Sequence, residues 1–193
     1  FQKVYEAELA VVIGRGGRRI SAEDALDHVA GYTIFNDGTV RDFQVRTPQW
    51  TVGKNFHGTG ALGPHLVTTD ELPAGASGLR ITTQVGDETL QDGNTGSFVF
   101  DVAHAIALLS TAVHFQPGDV IAMGTPAGIG WARKPPRYLV PGERCCVSIE
   151  GLGTLENPIV DDPATGAVDG VTVQIRTTPL SRMLGLSNML NRL

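Results

Sequence analysis

Two carboxylates, Glu6 and Glu8, interrupt the otherwise apolar stretch "VYEAELAVVIG" at residues 4–14. The stretch reads as a buried β-strand, and strand side chains alternate between faces, so two acids at i and i+2 point the same way. Like charges side by side repel unless both face water, as on a half-solvated edge strand, or a cation lies between them. The shared face continues through Ala10 and Val12 into the apolar run, which weakens the solvated-edge reading and leaves both readings open. A sheltered pair of carboxylates suits a hard divalent cation held by oxygen ligands, because an isolated buried charge costs too much.

A third ligand is on offer in "FNDGTVRDFQ", residues 35–44, where an apolar strand runs out into polar residues. If the chain after Asp37 turns helically, Asp37, Arg41 and Gln44 follow the i, i+4, i+7 rule and share a face. That face would present a carboxylate, a guanidinium and an amide together, a set suited to a metal plus an anionic, oxygen-rich ligand. An Asn-Asp turn beside a surface Arg fits the same residues. Asp42 points elsewhere and reads as a structural partner. Lys54, in "VGKNFHGTGALGP" at 52–64, is either a solvated loop charge or, beside a metal, a cation that holds a carboxylate or polarises a carbonyl. "GTPAGIG" at 124–130 supplies flexible backbone and the hydroxyl of Thr125, without the lysine and spacing of a phosphate-binding Walker loop. His57, His65, His104 and His114 lack metal-ligand spacing, and no G-x-S-x-G supports a serine nucleophile.

These side chains need elements to position them. "SAEDALDHVA" predicts a short helix with Ser21 as N-cap and Asp24 as its capping-box partner. "GYTIFND" predicts a strand, "GTVRDFQ" a turn or two of helix, and "TPQWTVGKNFHGTGALGP" a long Gly-rich loop. "HLVTT" and "LRITTQV" read as strands, and "DETLQDGNTG" as a turn followed by a polar stretch. "FDVAHAIALLSTAV" has the best helical period, with Val102, Ala105, Ile106, Leu109 and Val113 in one apolar stripe. A short strand precedes the loop at 124–130, and "ERCCVSIEGLGTLENPIV" predicts a closing hairpin that turns at Gly151 and Gly153. The sum is a mainly β, α+β domain over residues 1–160. Residues 161–193 read as a linker, "DDPATGAVDG", and an amphipathic tail helix, "PLSRMLGLSNMLNRL".

The chain has 193 residues and a formal net charge of −5 with no basic block, which excludes nucleic acid as an expected partner. No apolar run approaches the roughly 20 residues that span a bilayer, so a membrane is not expected either. Adjacent Cys145 and Cys146 would point to opposite faces of a strand, which suggests no disulfide framework and suits a reducing, cytoplasmic compartment. The abrupt, Met-less start "FQKVYEAE" suggests an omitted upstream segment.

In order and spacing, "YEAELAVVIG", "GYTIFNDGTVRDFQ", "GKNFHGTGALGP" and "GDVIAMGTPAGIG" resemble the signatures of the fumarylacetoacetate hydrolase family, over roughly residues 1 to 160. The resemblance implies a mixed β-sandwich roll, a homodimer, and binding of Mg²⁺, Mn²⁺ or Ca²⁺. It implies Glu6, Glu8 and Asp37 as metal ligands and Arg41, Gln44, Lys54 and Thr125 around the substrate, with Lys54 and Gln44 in catalytic roles. The implied activity is catabolic, metal-dependent hydrolysis of a carbon–carbon bond in a small 2,4-dioxo acid of acylpyruvate type, through a stabilised enolate. Relatives that decarboxylate oxaloacetate-like acids or isomerise unsaturated dioic acids share these motifs. A non-catalytic, metal-stabilised dimeric binding protein is the alternative of another class. In many members a His and a Glu on an N-terminal lid helix activate the attacking water, and that region would precede Phe1. The tail after about residue 160 matches nothing in the family's core.

Overall fold

Alternation in the opening segment sends Leu9, Val11 and Ile13 into one hydrophobic core, while Val12 joins a small second cluster with Ala30 and Leu66. A computed structural model, which describes residues 1–161 and the backbone pair Gln174–Ile175, shows the architecture that results. The strands are β1 (Lys3–Val4), β2 (Ala7–Ile13), β3 (Val29–Asp37), β4 (Thr39–Val40), β5 (Gly60–Thr68), β6 (Arg80–Val85), β7 (Glu88–Asn94), β8 (Val120–Ala122), β9 (Arg144–Ile149), β10 (Gly153–Pro158) and β11 (Gln174–Ile175). The α-helices are α1 (Arg41–Gln44), α2 (Thr51–Lys54) and α3 (Val102–Leu109).

A five-stranded sheet in the order β11-β5-β3-β2-β8 and a four-stranded sheet in the order β10-β9-β6-β7 share one core, and β1 pairs with β4 beside them. Leu9, Val11 and Ile34 from the first sheet meet Ile81, Val147, Ile149 and Leu155 from the second. Burying each such side chain contributes about 1.5–3 kcal/mol, which is why the two sheets stay face to face. Pairing is antiparallel except between β11 and β5, so this is the mixed, mainly β, α+β sandwich roll that the resemblance implies.

The register of β2 on β3 positions the acids. Ala7 lies opposite Asn36 and Glu8 opposite Phe35, so Glu6 falls beside Asp37, whose N–H donates to the Glu6 carbonyl at 2.9 Å. The strand expected over 4–14 is broken at Tyr5 and Glu6. Side chains take its backbone donors there: Asn36 Oδ1 accepts from Glu6 N–H at 3.3 Å, and Gln91 Oε1 from Ala7 N–H at 3.1 Å.

Other elements also depart from expectation. Ser21 Oγ does bond Asp24, donating to Oδ2 at 2.7 Å and accepting from its N–H at 3.1 Å, but only a turn and a 3-10 segment, Ala25–His28, follow. The supposed long loop over 47–64 contains α2 and the start of β5, and the polar stretch after Val85 is β7, paired with β6 as a hairpin. α3 stops at Leu109, capped at its start by Asp101; Val102 and Ile106 are buried, whereas Leu109 and Val113 are exposed. The hairpin of β9 and β10 turns at Gly151 and Gly153, and Cys145 is buried with Cys146 partly exposed, as alternation requires. The tail helix lies outside the described residues.

Candidate active site and metal centre

Glu6, Glu8 and Asp37 converge at one end of the β2–β3 pair. One carboxylate oxygen from each lies within 4.8 Å of the others, and both glutamates are buried. Asp37 does not share a helical face with Arg41 and Gln44 as expected. It ends β3, and the helix starts only at Arg41, so strand pairing and not helical period delivers Asp37 to the acids. Thr39 Oγ1 lies 3.1 Å from Glu6 Oε1 and 3.0 Å from the Asp37 carbonyl, and its single proton can serve either.

Lys54 stands over the cluster from the end of α2. Its Nζ donates to Glu6 Oε2 at 2.9 Å and to Asp37 Oδ2. Gly53 makes this approach feasible: a Cβ there would sit 2.6 Å from Gln44, so only glycine lets α2 cross α1 this closely. Burial works against the Lys54 charge, but the hydrogen bonds to Asp37 and Glu6 outweigh it and hold the pKa above its ordinary value.

Glu8 is poorly compensated by comparison. Among the described residues its carboxylate accepts only the Gly124 N–H, at Oε2 and 3.0 Å. Burial pushes its pKa up to about 7; the Gly124 bond and Lys54 oppose that rise, and the charges of Asp37 and Glu6 add to it. Three carboxylates against one ammonium leave the cluster short of positive charge. A hard divalent cation with oxygen preference fits that deficit and this donor set.

Because its folded pKa lies above the ordinary 4.5, Glu8 is favoured in its neutral form in the metal-free fold. The stability this contributes is fully present below pH 4.5 and is lost as pH rises through about 7. Thermal melts of metal-free protein across that range should show the loss in the wild type and not in Glu8→Gln. Parallel curves for the two proteins would mean that Glu8 ionises without penalty.

The remaining candidates flank the acids. The Arg41 guanidinium lies 4.2 Å above the Trp131 ring and donates to Gln44 Oε1, while its buried Nε has no partner. Among the described residues no carboxylate pairs with Arg41, so its charge is available to an anion. Gln44 is buried beside Gly53, next to Lys54 in the chain. Neither Arg41 nor Gln44 bonds the acidic cluster directly. Thr125 follows Gly124, the donor to Glu8, and its Oγ1 accepts from Gln91 Nε2 at 2.8 Å. A cleft of about 630 Å³ opens among α3, β7 and residues 121–127, lined in part by Phe98, Phe100, Leu108, Met123 and Thr125; Glu6, Glu8 and Asp37 do not line it.

Four contributors escaped the sequence reading: Thr39, Gln91, Trp131 and the Gly124 N–H. Thr39 lies within "GYTIFNDGTVRDFQ", two residues after Asp37, a spacing that brings it within reach of the same site. Gln91 sits in an almost wholly polar run, "ETLQDGN", with no alternation to mark it as buried.

The family model described as fumarylacetoacetate (FAA) hydrolase C-terminal matches residues 2–160. The chain belongs to the fumarylacetoacetate hydrolase family. Among curated proteins it is 46% identical over 158 residues to the mitochondrial oxaloacetate tautomerase FAHD2A of Homo sapiens, covering 81% of this chain and 50% of that protein. Among solved structures, a fumarylacetoacetate hydrolase from the psychrophile Exiguobacterium antarcticum superposes with a TM-score of 0.80 at 42% identity, covering 83% of this chain and 57% of that one. A fumarylpyruvate hydrolase from Pseudomonas aeruginosa, solved in complex with Mn²⁺ and pyruvate, gives a TM-score of 0.74 at 33% identity, covering 83% and 66%. The chain spans about half the length of the curated relatives it matches. These family neighbours are enzymes.

Proposed function

We infer that this fumarylacetoacetate hydrolase-family chain carries the metal-binding and substrate-orienting half of a hydrolase that cleaves a carbon–carbon bond in an acylpyruvate-like 2,4-dioxo acid. The observation that carries the reading is the convergence of Glu6, Glu8 and Asp37 within 4.8 Å under Lys54, with Arg41 in the helix packed against Gly53 and paired with no carboxylate among the described residues. The relative solved with Mn²⁺ and pyruvate supports it. A divalent cation (Mg²⁺, Mn²⁺ or Ca²⁺) held by the three carboxylates would supply Lewis acidity toward the vicinal carboxylate and 2-oxo oxygens of the substrate.

The chain's own groups then have distinct tasks. Glu6, Glu8 and Asp37 act as ionised ligands and not as general bases. Arg41, fixed against Trp131, and Lys54 offer positive charge to the substrate's carboxylate end, where charge-assisted hydrogen bonds are the strong ones. Gln44 holds Arg41 in place through its carbonyl oxygen and presents its amide hydrogens beside it. Thr125 contributes a hydroxyl from the opposite side. In the reaction, water's oxygen joins the remote acyl carbon and the adjoining carbon–carbon bond breaks. Its electron pair delocalises onto the 2-oxo oxygen, and protonation of the freed carbon leaves pyruvate and a second acid. Positive charge placed where that oxyanion develops is what such a site contributes. We place the catalytic domain in residues 1–160, and take the protein to be a cytoplasmic homodimer; among the described residues no helix is long and apolar enough to cross a membrane.

A second reading, isomerisation of an oxaloacetate-like acid at the same groups, is supported by the 46% identity to the human oxaloacetate tautomerase, beside 42% and 33% for the two hydrolases. One assay separates the two. The protein loaded with Mn²⁺ is incubated with a panel of acylpyruvates, oxaloacetate and unsaturated dioic acids, and products are identified by NMR. Pyruvate plus a second acid is the expected result. Enol–keto interconversion without fragments would select the second reading, carbon dioxide release would select decarboxylation, and no turnover of any compound would leave a binding protein.

A further inference from the structure

Gln91 belongs to the other sheet, yet its side chain reaches the acidic strand and the 124–126 loop together. It is 1% exposed, and every hydrogen-bonding position of its amide is filled. Oε1 accepts from Ala7 N–H at 3.1 Å and from Thr83 Oγ1 at 2.7 Å. Nε2 donates to Thr125 Oγ1 at 2.8 Å and to the Pro126 carbonyl at 2.9 Å.

Two of these partners have no freedom of role. A backbone N–H can only donate and a carbonyl can only accept, so Ala7 and Pro126 together settle which end of the amide is oxygen and which is nitrogen. The hydroxyls must adapt to that orientation. Thr83, fully buried, turns its proton to Oε1, whereas Thr125 must accept from Nε2. The proton of Thr125 is thereby directed away from Gln91, and among the described residues nothing else accepts it.

We propose that Gln91 is a positioning residue that fixes Thr125 as a hydrogen-bond donor to an anionic oxygen ligand and sets the 124–126 loop at a constant distance from the acidic strand. The geometry explains why one amide serves both. Ala7 lies between Glu6 and Glu8, at the point where β8, paired with Ala10–Val12, no longer runs beside β2. The loop is tied to the same strand a second time by the Gly124 bond to Glu8. Two tethers from one loop to one strand restrict both its distance and its tilt. The ligand class is a 2-oxo or 2-enolate carboxylic acid, and in this the inference rests on the function proposed above.

The test uses oxalate, a planar dianion with the vicinal oxygens of a 2-oxo acid, titrated calorimetrically into Mn²⁺-loaded protein, with Mn²⁺ affinity measured separately by electron paramagnetic resonance. Thr125→Val and Gln91→Met should each weaken oxalate binding roughly tenfold, as loss of one hydrogen bond to a charged group predicts, and the double variant should lose no more than about twofold beyond either single one. Mn²⁺ affinity should stay within about threefold of wild type throughout. Unchanged oxalate binding in Gln91→Met, additive losses in the double variant, or loss of Mn²⁺ binding would each overturn the inference. If Thr125→Val itself leaves oxalate binding unchanged, the substrate role assigned to Thr125 fails, and the inference with it. If only Gln91→Met is silent, the function proposed above survives and the inference alone falls. Should Gln91→Met not fold, Gln91→Glu keeps the length and the oxygen that accepts from Ala7 and Thr83 but puts a second oxygen where the amide hydrogens were, so that Thr125 loses its donor partner, and the same non-additivity with Thr125→Val is expected.

Discussion

Glu8→Gln is expected to bind Mn²⁺ at least roughly 100-fold more weakly than the wild type, because it removes a charged ligand from the candidate cage, and losses of 10–100-fold follow even from disturbing groups that only support a ligand. The substitution is nearly isosteric, and the glutamine carbonyl can still accept the Gly124 N–H that now reaches Glu8 Oε2 at 3.0 Å. The loop after β8 should therefore stay in place. Repulsion from Glu6 and Asp37, which helps push the Glu8 pKa up to about 7, disappears. The metal-free variant should then be at least as stable as wild type above pH 7, so that weak Mn²⁺ binding reflects the missing ligand and not a damaged fold. Equilibrium dialysis at pH 8, with melting curves on the same samples, reads both quantities. Stoichiometric Mn²⁺ at wild-type affinity would remove Glu8 from the ligand set and leave the cage without one of its three members.

Much of this centre is legible in the chain. Two acids at period two in an apolar run are hard to place except against a cation or water, and the pattern needs no knowledge of the fold. Asp37 is harder: its arrival beside Glu6 depends on the β2–β3 register, a long-range fact that no local spacing encodes. The helical spacing expected to join Asp37, Arg41 and Gln44 holds only for the last two, since Asp37 ends β3 and only Arg41 and Gln44 lie in α1. Gly60, Gly63 and Pro64 concealed the start of β5 for a related reason. A strand rarely tolerates such residues, yet here Gly60 lies against the Phe35 ring, where a side chain would crowd it. β7 was hidden because it edges its sheet and exposes most of its residues, leaving Leu90 and Gln91 as its buried pair. Tertiary context decides such strands, and propensity does not.

Lys54→Met should destabilise the metal-free protein by about 2–3 kcal/mol, below the 3–5 kcal/mol typical of breaking a fully buried ion pair because the lysine side chain keeps some contact with water. The ammonium bonds Glu6 and Asp37 at once, and among the described residues the other side chain that donates to these carboxylates is Thr39, through its hydroxyl to Glu6. Methionine keeps an unbranched aliphatic stem but leaves two carboxylates facing each other and Glu8 without a counter-charge. A divalent cation held by the same three acids replaces the lost charge and more. Urea unfolding in EDTA should therefore show the full loss, and unfolding with saturating Mn²⁺ only a small part of it. An equal loss in both conditions would mean that Lys54 stabilises the fold by packing its stem and not by compensating the acidic cage. The idea that the three carboxylates act as one charged unit would then fail. The comparison separates charge from packing because methionine retains the packing, and because adding the cation restores the charge without restoring the lysine.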